Sequence, residues 1–279
     1  MDIFSGLDKL GFDNIEIDDL YAKNEEYHED VAVTNRPVIK EEDMLFDKSY
    51  VCPVCENKFK AKTVKTGRAR LVGTDSVLRP MYEGIEPLKY DAILCNKCGY
   101  AALSRYFVTL AAPQKKLVKE KISANFKPMI TNETDVYSFE DSIARYKLSL
   151  LNAVVKVSKD SEKAYICLKA GWMARSYAES LEEAGESSDK LAQARSMEDE
   201  FLKKAYEGYK SAIEHEKFPI SGMDTYTLTI LMATLGKKYG TVEECAKFLA
   251  EILTSRNCPE RIKDKARDLK EELMKEVKK

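Results

Sequence analysis

The fold of this chain turns on two short runs, SYVCPVCEN at residues 49–57 and AILCNKCGY at residues 92–100. Each carries a Cys-x-x-Cys pair, and residues 56–94 lie between the pairs. Four thiolates complete the tetrahedral shell of a structural zinc site, so Cys52, Cys55, Cys95 and Cys98 are the expected metal ligands. Within each pair the backbone turns through a knuckle that aims both sulfurs at one ion. A turn former after the second cysteine lets nearby amides face the sulfurs. Gly99 suits that position, whereas Glu56 suits it less and leaves Asn57 to serve the turn. Pro53 fixes the entry φ of the first knuckle.

Iron in the same four-sulfur shell is the alternative ion. A redox dithiol is an alternative chemistry, but it calls for one Cys-x-x-Cys opening a helix in a βαβ setting, and both pairs here have strand-rich flanks. A shell filled by four sulfurs has no open position, which makes the ion architectural and its binding energy largely folding energy. Losing one cysteine is therefore expected to unfold residues 49–112 and to spare the helices. Cys167 and Cys245 fall on apolar helical stripes and read as buried small hydrophobes, while Cys258 precedes Pro259 near a helix start.

Working outward, FKAKTV (59–64) alternates as a strand, with lysines at 58, 60 and 62 on one side. RARLVG (68–73) and KYDAILC (89–95) are further strands. ALSRYFVTL (102–110) reads equally as strand or helix start, and QKKLVKEKISANF (114–126) as a helix stopped before Pro128. LRPMYEGIEPLKYD (78–91), with Met81, Tyr82, Ile85, Leu88 and Tyr90 between two prolines, is expected to fold back on the strands, or else to meet the helical part or a partner.

Beyond residue 136 the period is helical throughout. Ser138 with Asp141 opens the first helix in a capping-box pattern, and Thr241 with Glu244 opens another. Between them run stripes such as Ala164, Cys167, Gly171, Ala178 and Leu181, and Leu191, Ala194, Phe201, Ala205 and Tyr209. Ile262, Ala266, Leu269, Leu273 and Val277 mark the last helix. Six antiparallel helices with small residues at their crossings suggest stacked pairs. Leu235, Gly236 and Tyr239 keep the first-helix spacing of a tetratricopeptide unit, and Ala205, Tyr209 and Ala212 keep the second-helix spacing. Gly171 to Ala205 is too long for an intact unit, so the array reads as a degenerate solenoid, with a plain bundle as the alternative.

The expected organisation is α+β. It comprises an acidic lead-in (1–48), a small strand-rich zinc-ribbon-like domain (49–112), a connecting helix and linker (113–135), and a mostly α tetratricopeptide-like array (136–279). Within 279 residues, Lys plus Arg number 45 and Asp plus Glu 47, a balance that implies coating of neither membrane nor nucleic acid. Only two histidines, His28 and His215, are present, which excludes histidine-cluster metalloenzymes. Seven cysteines are too few and odd in number for a disulfide scaffold. The acidic start lacks a secretory pattern and no run is long enough to span a membrane, so the cytoplasm is the expected compartment.

No nucleophile elbow, P-loop or dinucleotide fingerprint occurs, and no catalytic residue is assigned. Lys58, Lys60, Lys62, Lys65, Arg68, Arg70 and Arg79 face only Asp75 across 58–79. With Tyr82, Tyr90 and Tyr106 that face could meet phosphates, so nucleic-acid binding is the alternative function. Lysines guarding an exposed strand edge explain the same pattern. The solenoid's concave face is the usual seat of peptide binding, with Tyr146, Trp172, Tyr177, Tyr206 and Tyr226 as candidate surface aromatics.

The arrangement LFDKSYVCPVCENKFKAKTVKTG (45–67) followed by PMYEGIEPLKYDAILCNKCGYAA (80–102) resembles an uncharacterised bacterial family, domain-of-unknown-function family 2225. ARYKLSL (144–150) and GWMARSY (171–177) resemble its helical part more loosely. The resemblance implies a cysteine-rich N-terminal part, a tetratricopeptide-like tail and bacterial origin, with no activity to carry over. The expected function is a zinc-stabilised adaptor that binds another protein through its helices.

Overall fold

Leu45–Val51 (β1) and Lys58–Val64 (β2) pair antiparallel, from Leu45 opposite Val64 to Val51 opposite Lys58. The loop that joins them is the first cysteine knuckle. Ala61 points inward and is buried, while Lys58 and Lys60 stand in solvent, as the alternation requires. The structure is a computed structural model that describes residues 40–128 and 132–277, all within one compact unit, Ile39–Lys279. Most of the acidic lead-in, including His28, lies outside the described residues.

Arg70–Thr74 (β3) and Pro80–Glu83 (β4) form a second hairpin with an irregularity between Leu71 and Gly73. Ala92–Leu94 (β5) and Ala101–Leu103 (β6) form a third, joined by the second cysteine knuckle. Three separate two-stranded sheets result, with no closed barrel among the described residues. The ambiguous 102–110 run opens as strand, Ala102 and Leu103 closing β6, and continues as neither strand nor helix. After β6 the chain turns repeatedly from Ser104 to Val108 and drives Phe107 into the cysteine cluster.

Ala112–Val118 (α1) starts with Pro113 in its first turn and continues as one π-helical turn, Lys119–Ser123. Six longer helices follow: Phe139–Val155 (α2), Asp160–Glu183 (α3), Ser188–His215 (α4), Thr225–Tyr239 (α5), Val242–Thr254 (α6) and Glu260–Val277 (α7). Local chemistry sets several starts. The Ser138 hydroxyl accepts from the Asp141 amide at 3.0 Å, Asp224 accepts from Thr227 at 2.7 Å, and Thr241 with Glu244 forms a complete capping box. None of these helices is long and apolar enough to cross a membrane.

The α3–α4 crossing is a close one. A Cβ added to Gly171 would lie 2.6 Å from Leu202 Cδ2, and one added to Gly208 would lie 2.9 Å from Ala164 Cβ. The two glycines thus let the backbones approach where any side chain would wedge them apart. Gly171→Val is expected to cost about 2 kcal/mol, the scale of overpacking a filled core, and urea unfolding curves of the purified variant check it.

The strand region and the helices share core. Ala92 of β5 and Leu103 of β6 belong to the large cluster built from α2, α3, α4 and α5. The 78–91 segment divides between both neighbours: Ile85 and Tyr90 pack with Met44, Leu45 and Tyr137, while Leu88 joins the helical core. The Tyr146 hydroxyl donates to the Leu88 carbonyl at 2.8 Å. Tyr146, Trp172 and Tyr206 are therefore corrected from surface candidates to buried residues, and Tyr177 and Tyr226 are half-buried.

Glu244 ties the start of α6 to α4. Its carboxylate accepts from Lys210 and, at 3.0 Å, from the Tyr206 hydroxyl, both on α4. It also accepts from the Thr241 amide at 3.1 Å. The Lys210 bond, then the Thr241 amide, hold its pKa down at about 2. A depressed carboxylate stabilises the fold above its unfolded pKa, and that contribution is lost on acidification. The melting temperature is expected to fall between pH about 4.5 and about 2, and Glu244→Gln to remove that portion of the fall.

Candidate metal centre

The two knuckles repeat one hydrogen-bond scheme. In the first, the Cys52 amide donates to the Asn57 carbonyl and the Glu56 amide to the Cys52 carbonyl, both at 2.9 Å. In the second, the Cys95 amide donates to the Tyr100 carbonyl and the Gly99 amide to the Cys95 carbonyl, again at 2.9 Å. The residue after each second cysteine takes the left-handed conformation, φ 61° at Glu56 and 73° at Gly99. Glu56 itself therefore makes the turn that composition assigned to Asn57, whose part is to accept the closing bond. Glycine at 99 is also a steric requirement, since a Cβ there would lie 2.5 Å from the Phe126 ring.

All four sulfurs lie within 4.8 Å of one another. Cys52 Sγ is 3.5 Å from Cys98 Sγ, and Cys55 Sγ is 3.6 Å from Cys95 Sγ, so the closest pairs run between the knuckles. Tetrahedral Zn–S bonds of about 2.3 Å place sulfurs about 3.8 Å apart, so the spacing fits such an ion. Cys52, Cys95 and Cys98 are buried and Cys55 is half-buried. The amides of Val54 and Cys55 donate toward the Cys52 sulfur, and those of Lys97 and Cys98 toward Cys95. These donors favour thiolate, the form that binds metal.

Crowding sets the four sulfurs against one another, since each thiolate disfavours charge on its neighbours. Hydrogen bonds from the Cys52 and Cys98 thiols hold Cys95 far below an ordinary thiol, while bonds to Cys95 push Cys52 up and bonds to Cys52 and Cys95 push Cys98 up. A divalent cation is what lets all four exist as thiolates together.

Aromatic and aliphatic side chains wall the cluster. Phe107 meets Tyr50 and Phe59 edge-on at 5.6 and 6.0 Å, and Val118 and Ile122 close it from the helix that follows. From α2, Asn152 donates to the Gly99 carbonyl at 3.0 Å and fastens the second knuckle to the helices. Phe107, Asn152 and Phe126 carried no local signal, because each acts across a large sequence separation.

The other cysteines stay apart from the four. Cys167 is buried in the helical core, and that burial pushes its thiol up to about 12. The Cys245 thiol bonds to the Ala233 carbonyl at 3.3 Å, and Cys258 is buried beside α7. His215 sits at the end of α4 with Nδ1 2.8 Å from the Ser211 carbonyl. Of the seven cations of the 58–79 run, Lys58, Lys60, Lys65, Arg68 and Arg70 are exposed and two are not. Lys62 pairs with Asp47 at 3.0 Å, and Arg79 is buried against Asp75 and Glu179 at 3.0 and 2.7 Å. Tyr90 is buried as well, which leaves Lys58 and Lys60 as the exposed lysines of β2.

Residues 45–273 match the family described as an uncharacterized protein conserved in bacteria (DUF2225). An uncharacterized protein of Borreliella burgdorferi is 26% identical over 115 residues, covering 36% of this chain and 41% of that protein, so the match spans less than half the relative's length. No solved structure matches the chain. The family match opens at the first residue of β1, takes in both cysteine knuckles and ends inside α7. The chain belongs to this family of uncharacterized bacterial proteins.

Proposed function

We propose that the chain is a zinc-stabilised interaction protein without catalytic activity, which binds another protein through its helical array. The observation that carries the reading is the closed set of four sulfurs. Cys52, Cys55, Cys95 and Cys98 would supply every ligand, so the ion offers no position to a substrate and its role is to hold the hairpins. Thiolates kept reduced suit a cytoplasmic location. The helices are proposed to be tetratricopeptide-like. Support comes from the close Gly171–Leu202 and Gly236–Tyr206 approaches, although the 24 residues of α3 and 28 of α4 exceed that repeat's helices.

The test combines two measurements on one sample purified without added metal. Metal analysis is expected to return one zinc per chain; iron in its place would overturn the zinc assignment. Affinity capture is expected to retain a defined protein after nuclease digestion. Loss of the captured material on digestion, with binding to DNA or RNA that weakens steeply with salt, would instead favour nucleic acid.

A further inference from the structure

The β3–β4 hairpin reaches across to the helices and touches them with its tip. Along its strands the hairpin meets the helices sparingly, through the Lys265 ammonium of α7, which donates to the Thr74 hydroxyl at 2.9 Å, and Leu71 and Val72 are 55% and 57% exposed. The turn Asp75–Arg79, by contrast, is held closely. The Trp172 indole donates to the Val77 carbonyl at 3.0 Å. Arg175 donates to Asp75 at 3.3 Å and to the Ser76 hydroxyl at 3.1 Å. Arg79 donates to the Ser176 hydroxyl at 2.6 Å and to both oxygens of Glu179, at 3.0 and 2.7 Å. Leu78 packs against both the central helical cluster and the one formed by α5, α6 and α7. One face of α3 thus holds a short segment much as a peptide-binding groove holds a ligand: one bond to main chain, a cation for a carboxylate, an apolar seat, and a carboxylate for a guanidinium.

Two features make this occupant exchangeable. Leu78 is held at φ 60°, a conformation that costs a non-glycine residue free energy, so leaving the seat relieves strain. Away from the tip the hairpin's apolar packing is confined to its base, where Ala69 and Tyr82 meet the Met44–Tyr137 cluster, while Leu71 and Val72 face solvent, so withdrawal of the tip disturbs few apolar groups elsewhere. We infer that the α3 face lined by Trp172, Arg175, Ser176 and Glu179 is a docking seat for a turn on a partner protein. That turn carries a carboxylate, leucine three residues on and arginine four residues on, and the chain's own 75–79 turn occupies the seat in the free protein. The inference rests on the reading of the array as a protein-binding element and names the chemistry of its partner.

The test uses the full chain and a labelled synthetic peptide spanning Arg70–Glu83. Arg79→Ala alters the strap and leaves the seat intact. It is expected to bind the peptide at least about tenfold more tightly than the wild-type chain, in which the internal turn competes. A peptide with alanine in place of the arginine is expected to lose that binding. Unchanged affinity in a variant whose helical circular dichroism is intact, or indifference to the peptide's arginine, would overturn the inference. Asp75→Ala serves as a second release variant, read the same way. Should both variants unfold, the turn is a fixed part of the fold and the inference falls. Equal capture of a cellular protein by wild type and Arg79→Ala, with no peptide binding, would remove the seat while leaving the interaction function standing.

Discussion

Cys95→Ser is expected to abolish metal binding and to unfold the strand region together with the helix that leans on it. Structural zinc contributes about 10–16 kcal/mol of apparent binding free energy in small zinc-folded peptides. That is as large as the about 5–15 kcal/mol by which an ordinary domain is stable. The hairpins β1–β2 and β5–β6 have a small apolar cluster with the cysteines at its centre, and it cannot replace such a term. The expectation from sequence, that the helices stay untouched, needs revision at α1 and α2. Val118 and Ile122 close the cysteine cluster, and Asn152 of α2 bonds to the Gly99 carbonyl. Hydrogen exchange on the Cys95→Ser variant is expected to show lost protection across 45–64, 92–123 and the C-terminal half of α2, with α4–α7 retaining theirs. Metal analysis of the same sample should show near-zero zinc. Full protection of α1 and β6 without metal would show that the ion is not what holds this region.

Arg145→Ala is expected to be the most destabilising single substitution outside the cysteines. Arg145 is fully buried on α2, stacks 4.0 Å over the Tyr137 ring and donates to Asn132 Oδ1 at 2.6 Å. Asn132 in turn donates to the Leu94 carbonyl of β5 at 3.1 Å, and the Tyr137 hydroxyl accepts from the Lys62 amide of β2 at 3.0 Å. One guanidinium therefore couples α2 to two different hairpins. Burial disfavours the charged form and lowers its pKa below the usual arginine value. Alanine would leave a large void and strip Asn132 of a charge-assisted partner. The expected cost is about 3–5 kcal/mol, the range for emptying a core site and for breaking a buried polar pair. Urea unfolding measures it. Arg145→Met, which keeps most of the volume, separates packing from hydrogen bonding, and a cycle with Asn132→Ala gives the coupling between the two side chains.

What could be read from sequence was what is local. The clustering of the four cysteines followed from Cys-x-x-Cys spacing, because a knuckle is a six-residue object and its chemistry lies within it. The helix starts at Ser138 and Thr241 were legible for the same reason: a cap and its recipient amide are three residues apart. Arg79 shows the limit. In the sequence it extends a basic run, whereas its partners Ser176 and Glu179 lie about a hundred residues away, and those partners turn a surface cation into a buried clasp. The aromatic positions behave alike. Tyr146 and Tyr206 sit on helices buried on more than one side, and a stripe drawn on one helix does not reveal a second neighbour. Gly208 escaped notice although it shares the α3–α4 crossing with Gly171, since the identity of its neighbour, Ala164, depends on the register between two long helices.

The placement of the sulfurs on two hairpins also sets an order of events during synthesis. Cys52 and Cys55 leave the ribosome 43 residues ahead of Cys95 and Cys98, an interval of about 2–9 s at ordinary elongation rates. Through that interval the first knuckle is a bare dithiol with half a coordination shell. The Asn152 side chain that secures the second knuckle follows later still. Loading of the proposed zinc would therefore be a late step, open to competition from oxidation of Cys52 with Cys55, and on that proposal the yield of folded protein should track zinc supply and thiol reduction at the moment of translation.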